Sequence, residues 1–124
     1  MSAKVLLVDD ETEFLEVMAD RLMIRGMVVS TAESVYDALQ KTETETFDAV
    51  VMDFMIPDMD GIEALKAMKK INPELHVFLL TGYATMEKKK EALQFGAAAL
   101  LEKPANLELL TKMIQRAHSQ NRNQ

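Results

Sequence analysis

Three carboxylates, a hydroxyl and an ammonium are the groups in this sequence best able to do chemistry together. Asp9 and Asp10 follow the apolar run Val5-Leu6-Leu7-Val8, and Asp53 follows Ala49-Val50-Val51-Met52. Thr81 follows Val77-Phe78-Leu79-Leu80, and Lys103 follows Ala99-Leu100-Leu101-Glu102. Carboxylates held ~4–5 Å apart repel by roughly 3–4 kcal/mol per pair at an effective dielectric near 20, so such a cluster either raises a pKa or binds a cation. Magnesium is the expected ion: it takes one or two carboxylates, keeps several waters and completes its shell with phosphate oxygens. Two separated histidines and no cysteine offer zinc nothing. Beside a tetrahedral, highly charged group, Lys103 reads as a second cation and Thr81 as a hydroxyl donor. Asp53, isolated at its strand end, reads as the nucleophile.

Taken singly, each of these has an ordinary explanation. Asp9 and Asp10 could open a helix, where acidic residues favour the positive end of the dipole. Asp53 could begin a loop, and Thr81-Gly82 could be a turn. Their joint occurrence is what counts, because four separate strand ends must each present a suitable group.

The elements that would gather them alternate along the chain. Strands are expected near Lys4 to Val8, Met27 to Thr31, up to Asp53, His76 to Leu80 and Ala98 to Leu101. Helices are expected from about Thr12 to Arg25, from Ser34, from Gly61 to Ile71, from Met86 to Phe95 and from Leu107 to Ala117. Ser34 with Asp37 makes a capping-box-like start, Gly26 and Gly96 end helices, and Asn72-Pro73 stops the third. Phe54 to Asp60 reads as a loop. Phe14, Met18 and Leu22, with Leu15, Ala19 and Met23 beside them, mark the inner stripe of the first helix. Leu110, Met113 and Ile114 do so in the last, and Met68 and Met52 also read as core.

The first, third and fourth strands are apolar throughout and need cover on both faces, whereas the second is more polar and suits an edge. The expected fold is therefore α/β: a doubly wound five-stranded parallel sheet of order 2-1-3-4-5 with five helices. That order puts the switch point beside Asp10 and Asp53, where the carboxyl ends of the strands share one crevice. A length of 124 residues with 48% apolar content suits a single domain spanning 1–124, with a core at about 4–117 and a frayed tail at 118–124.

Fourteen basic against twenty acidic side chains leave a net charge of −6, a poor match to nucleic-acid phosphates. The absence of cysteine is compatible with a reducing compartment, and no apolar run approaches the ~20 residues of a membrane span. The expected location is the cytoplasm. The run Lys88-Lys89-Lys90 reads as a solvated helix face, and His76 and His118 as structural or surface residues.

The residues around these strand ends form recognisable motifs: Val5-Leu6-Leu7-Val8-Asp9-Asp10-Glu11, Val50-Val51-Met52-Asp53 with Ile56-Pro57-Asp58-Met59-Asp60-Gly61, Leu80-Thr81-Gly82-Tyr83, and Glu102-Lys103-Pro104. From about Lys4 to Arg116 the chain resembles the receiver domain of two-component response regulators. The resemblance implies that Asp53 accepts a phosphoryl group from a phosphohistidine on a kinase or phosphotransfer protein. It implies that Asp10, Asp53 and the backbone carbonyl of Met55 ligate magnesium, with Asp9 acting through water. Lys103 would pair with the phosphoryl oxygens, Thr81 would donate to one of them, and the Lys103-Pro104 bond would be cis. Phosphorylation would pull Thr81 inward and shift a balance between two conformers, with the fourth helix as the mover because it has few apolar anchors. A downstream protein target is expected, with a phosphorylation-dependent dimer as one form of output. The chain would catalyse only its own phosphorylation and dephosphorylation.

Two positions depart from the family pattern. Leu100 stands three residues before Lys103, where receivers usually carry a Tyr or Phe that rotates on activation. Met55 and Tyr83 occupy positions that tune dephosphorylation in the family, and neither suits the positioning of an attacking water. Three rival functions fit these residues less well. A haloacid-dehalogenase-like phosphatase needs a second Asp two residues after its nucleophile, but Thr12 follows Asp10 and Met55 follows Asp53 at that spacing. A flavodoxin-type carrier needs a Ser/Thr/Gly-rich phosphate loop after the first strand. A pseudo-receiver that binds partners without phosphorylation is disfavoured by the intact acidic pocket.

Overall fold

Strands and helices alternate as their apolar periodicities dictate. The computed structural model describes residues 2–122. In chain order the elements are β1 (Lys4–Val8), α1 (Thr12–Ile24), β2 (Val28–Ala32), α2 (Val35–Thr44) and β3 (Ala49–Asp53), then a small hairpin of β4 (Met55–Ile56) and β5 (Met59–Asp60). α3 (Gly61–Ile71), β6 (His76–Thr81), α4 (Met86–Gln94), β7 (Ala99–Glu102) and α5 (Leu107–Arg122) follow. β1, β2, β3, β6 and β7 form one parallel sheet in the order β2-β1-β3-β6-β7. Counting only these strands, this is the expected 2-1-3-4-5.

The period of two along each buried strand divides the core between the sheet's faces. Leu6, Val8, Val50, Met52, Val77 and Leu79 point to one face, where they meet α2, α3 and Ala92 of α4. Val5, Leu7, Val51, Phe78 and Leu80 point to the other, against Leu15, Met18 and Leu22 of α1 and Leu110 and Ile114 of α5. β2 and β7, the two edges of the sheet, each bury a single residue, whereas β1, β3 and β6 are almost wholly buried. α4 buries Ala92 alone, so apolar burial holds this helix least.

Several expectations need correction. Met23 is 47% exposed rather than part of the inner stripe of α1, whose buried residues are Leu15, Met18, Ala19 and Leu22. The segment from Phe54 to Asp60 is a hairpin as well as a loop, with Met55 opposite Asp60 and Ile56 opposite Met59. α5 continues to Arg122 instead of fraying after Ala117, while 123–124 lie outside the described residues. Side chains of its last turns bind the amino-terminal end of the sheet. His118 Nδ1 lies 2.9 Å from Asp48 Oδ2, Asn121 Nδ2 donates to Asp48 Oδ1 at 3.1 Å, and Gln120 Oε1 lies 2.9 Å from His76 Nε2. These partners are remote in sequence, so periodicity carries no trace of them.

Candidate functional site

Ladder hydrogen bonds persist beyond the strands and set the frame of the site. Asp9 N–H donates to the Ala32 carbonyl at 3.1 Å, Phe54 N–H to Leu80 at 2.7 Å, and Lys103 N–H to Thr81 at 2.7 Å. The chain therefore holds strand geometry up to the residues that bear the polar groups. Asp9, Asp53 and Thr81 are the buried polar or charged residues among the described residues, at 3%, 8% and 1% exposure. A charge is costly to bury without a partner, so this concentration at one sheet edge demands compensation.

Lys103 supplies it. Its Nζ donates to Asp53 Oδ2 at 2.9 Å and to Asp9 Oδ2 at 3.1 Å, with Glu11 Oε1 at 3.8 Å. The free oxygens are also engaged: Met55 N–H donates to Asp53 Oδ1 at 3.0 Å, and Glu11 N–H donates to Asp9 Oδ1 at 2.9 Å. Burial pushes the Lys103 pKa down, but the hydrogen bonds and charges of Asp53 and Asp9 push it up further, so it lies above its ordinary value. Lys103 is thus held as an ammonium, and the Lys103-Pro104 peptide is cis.

Asp10 joins from the exposed side. One carboxylate oxygen each from Asp9, Asp10 and Asp53 lie within 4.8 Å of one another. Three carboxylates against one ammonium leave two negative charges, and the donors are all hard oxygens, so the residues present fit a divalent magnesium ion. Met55 stands on the rim, 69% exposed, two residues beyond Asp53.

Thr81 faces the adjoining loop. Its hydroxyl accepts from the Tyr83 N–H at 3.3 Å. The next residues of that loop are tethered by Ala84 N–H to Glu102 Oε2 at 3.2 Å and by Lys88 Nζ to the Tyr83 carbonyl at 3.1 Å. Tyr83 itself is 71% exposed.

Two contributors escaped the sequence reading. Asp58 accepts from the N–H groups of Val35 and Tyr36, the first residues of α2, so the hairpin after Asp53 is anchored to a neighbouring helix. Phe14, read as a core stripe residue, is half-buried, and its ring lies under the Lys103 ammonium. Neither contact has a sequence spacing that could reveal it.

A parallel sheet with an acidic cluster and a paired lysine at its switch point is the architecture of a signalling receiver, and the family model for the response regulator receiver domain matches residues 5–115. The chain belongs to that family. It is 33% identical over 113 residues to the transcriptional regulatory protein ZraR of Salmonella typhimurium, covering 91% of this chain and 26% of ZraR. It therefore spans about a quarter of that relative's length. A CheY-like receiver domain protein from Methanospirillum hungatei superposes with a TM-score of 0.89 at 32% identity, covering 100% of both chains. The beryllofluoride-activated NtrC4 receiver domain dimer gives 0.87 at 29% identity, covering 94% of this chain and 97% of that one.

Proposed function

We propose that this domain accepts a phosphoryl group on Asp53 from a phosphohistidine of a histidine kinase or phosphotransfer protein and signals by a change of conformation. The observation that carries this reading is the position of Lys103 Nζ, 2.9 Å from Asp53 Oδ2 and 3.1 Å from Asp9 Oδ2, beside a three-carboxylate cluster. In the transfer, an Asp53 carboxylate oxygen forms the new P–O bond while the donor's P–N bond breaks. The electron pair of that bond leaves with the imidazole nitrogen. Lys103 stays with the anionic oxygens of Asp53 and the incoming group, so two anions can approach. Thr81 exchanges its Tyr83 contact for a phosphoryl oxygen.

Asp10, Asp53 and the Met55 carbonyl would hold magnesium, with Asp9 acting through water. The ion would neutralise the carboxylates and the oxygens of the transferring group. The added group carries about −1.5 to −2 charges and three acceptor oxygens, enough to draw Thr81 inward and to shift a two-conformer balance. Release of Tyr83 would loosen the β6–α4 loop, and α4 is the helix with least apolar burial to resist. The output is contact with a downstream protein, a phosphorylation-dependent dimer included; the activated form of the NtrC4 receiver domain is described as a dimer. The domain acts as a phosphoacceptor rather than a turnover enzyme, and its place is the cytoplasm. No described helix is long and apolar enough to cross a membrane.

The test is incubation with acetyl phosphate and magnesium, followed by intact mass. Wild type should gain one phosphoryl group and Asp53→Ala none. An adduct on Asp53→Ala, or none on wild type, would overturn the reading.

A further inference from the structure

We infer that Phe14 is a positioning residue for Lys103: the aromatic face of α1 holds the ammonium in the place from which it meets the phosphoryl oxygens. The inference rests on the phosphoacceptor reading of Asp53. An ammonium has three N–H donors. Two are taken by Asp53 and Asp9, at 2.9 and 3.1 Å, and Glu11 Oε1 at 3.8 Å is too far for a hydrogen bond. The Phe14 ring provides the remaining cover, its centroid 4.4 Å from Nζ. A cation over an aromatic face within about 6 Å is attracted by the ring quadrupole, the more strongly as water is excluded. Only 18% of the Lys103 side chain is exposed.

The ring's particular contribution lies in what it does not do. Carboxylate partners of Lys103 change when a cation or a phosphoryl group arrives, because each competes for the same oxygens. An aromatic face takes no metal and no proton, so it restrains Nζ before and after transfer alike. A flexible four-carbon side chain otherwise loses rotamer freedom each time it is fixed. Phe14 is itself supported, since it packs against the α1/α5 side of the core and borders an apolar hollow with Met18, Pro104 and Leu107. Pro104 follows Lys103 directly, so one surface steadies both the backbone and the tip of the lysine.

The test compares wild type with Phe14→Leu, Phe14→Tyr and Lys103→Met. In the proton spectrum, the ε-methylene signals of Lys103, assigned by their absence from Lys103→Met, should lie upfield through the ring current. They should return to the ordinary lysine position in Phe14→Leu and stay upfield in Phe14→Tyr. With acetyl phosphate and magnesium, Phe14→Leu should be phosphorylated about two- to fivefold more slowly, the cation–π range at partly exposed sites expressed as a rate, with Phe14→Tyr near wild type. Phe14→Met replaces Phe14→Leu if that variant does not fold. Unshifted ε-methylene signals in wild type, or a Phe14→Leu rate equal to wild type, would overturn the inference. So would a slow rate that Tyr does not restore. The spectrum needs no phosphoryl donor, so it judges the contact even if Asp53 proves not to be the acceptor; that failure would be seen separately as an adduct on Asp53→Ala.

Discussion

Asp58 caps a helix to which it does not belong: its Oδ2 accepts from the Tyr36 N–H at 3.0 Å, while its Oδ1 accepts from Val35 at 3.1 Å. Ser34 Oγ accepts from Asp37 N–H at 3.1 Å, so three of the free amides at the start of α2 are satisfied, two of them from across the fold. A carboxylate there also favours the positive end of the helix dipole. Asp58→Ala should cost about 1–2 kcal/mol, the upper part of the range for loss of an N-cap, and Asp58→Asn less. Urea unfolding measures both. Equal stability of Asp58→Ala and wild type would refute the cap.

Asp48 sets an acid limit on stability. Burial pushes its pKa up, but hydrogen bonds from the Lys4 N–H, Asn121 and His118, with the charge of His118, push it down further, leaving it below the usual value of 3.8. A carboxyl depressed in the folded state contributes stability that is present above its unfolded pKa and is lost as pH falls through the folded one. The contribution of Asp48 should therefore be intact above about pH 4 and decline below it. Asp48→Asn should flatten that part of the curve of stability against pH. An unchanged slope in thermal melts between pH 5 and 2, roughly the window set by this linkage, would count against the assignment.

Leu100, 5% exposed in β7, packs in the core beside Leu79, its partner in the ladder. Its truncation to Ala should cost about 2–5 kcal/mol, as buried Leu→Ala changes do. Phosphorylation of the folded fraction should survive, because Leu100 is not among the groups around Asp53, and partner binding should survive with it if the signal leaves by the proposed route through the β6–α4 loop and α4. Loss of partner binding in Leu100→Ala, with stability and phosphorylation both intact, would contradict this route.

Met55 and Tyr83 flank the acidic pocket at 69% and 71% exposure. The Met55 side chain has no group that can orient a water for attack on an aspartyl phosphate, so the phosphoryl group should be long-lived. Met55→Asn should shorten its lifetime. Radiolabel decay after removal of the donor gives the rate directly, and rapid loss from wild type would exclude the prediction.

The alternation of strands and helices could be read from local periodicity, and so could the edge position of β2, because burial on one or both faces leaves its mark on residue type. Gly61 to Ile71 illustrates how far this reaches: Asp60 Oδ1 accepts from Ile62 and Glu63 at one end, and Asn72-Pro73 interrupts the helix at the other. The acidic cluster was legible for a related reason. Charged residues placed directly after apolar strands must lie at sheet ends, and a parallel sheet sends all those ends to one side.

What the sequence alone determined, then, was which groups stand at the carboxyl edge and in what order the strands carry them there. Tertiary structure decided which of those groups touch. Lys103 lies 94 residues from Asp9 and 50 from Asp53, and it pairs with both. The Phe14 ring over Lys103, the Asp58 cap on α2 and the Asp48 clamp on α5 join elements whose spacing along the chain carries no period. Hydrogen bonds and cation–π contacts act over a few ångströms in space and are indifferent to separation along the chain, so only the folded geometry selects them.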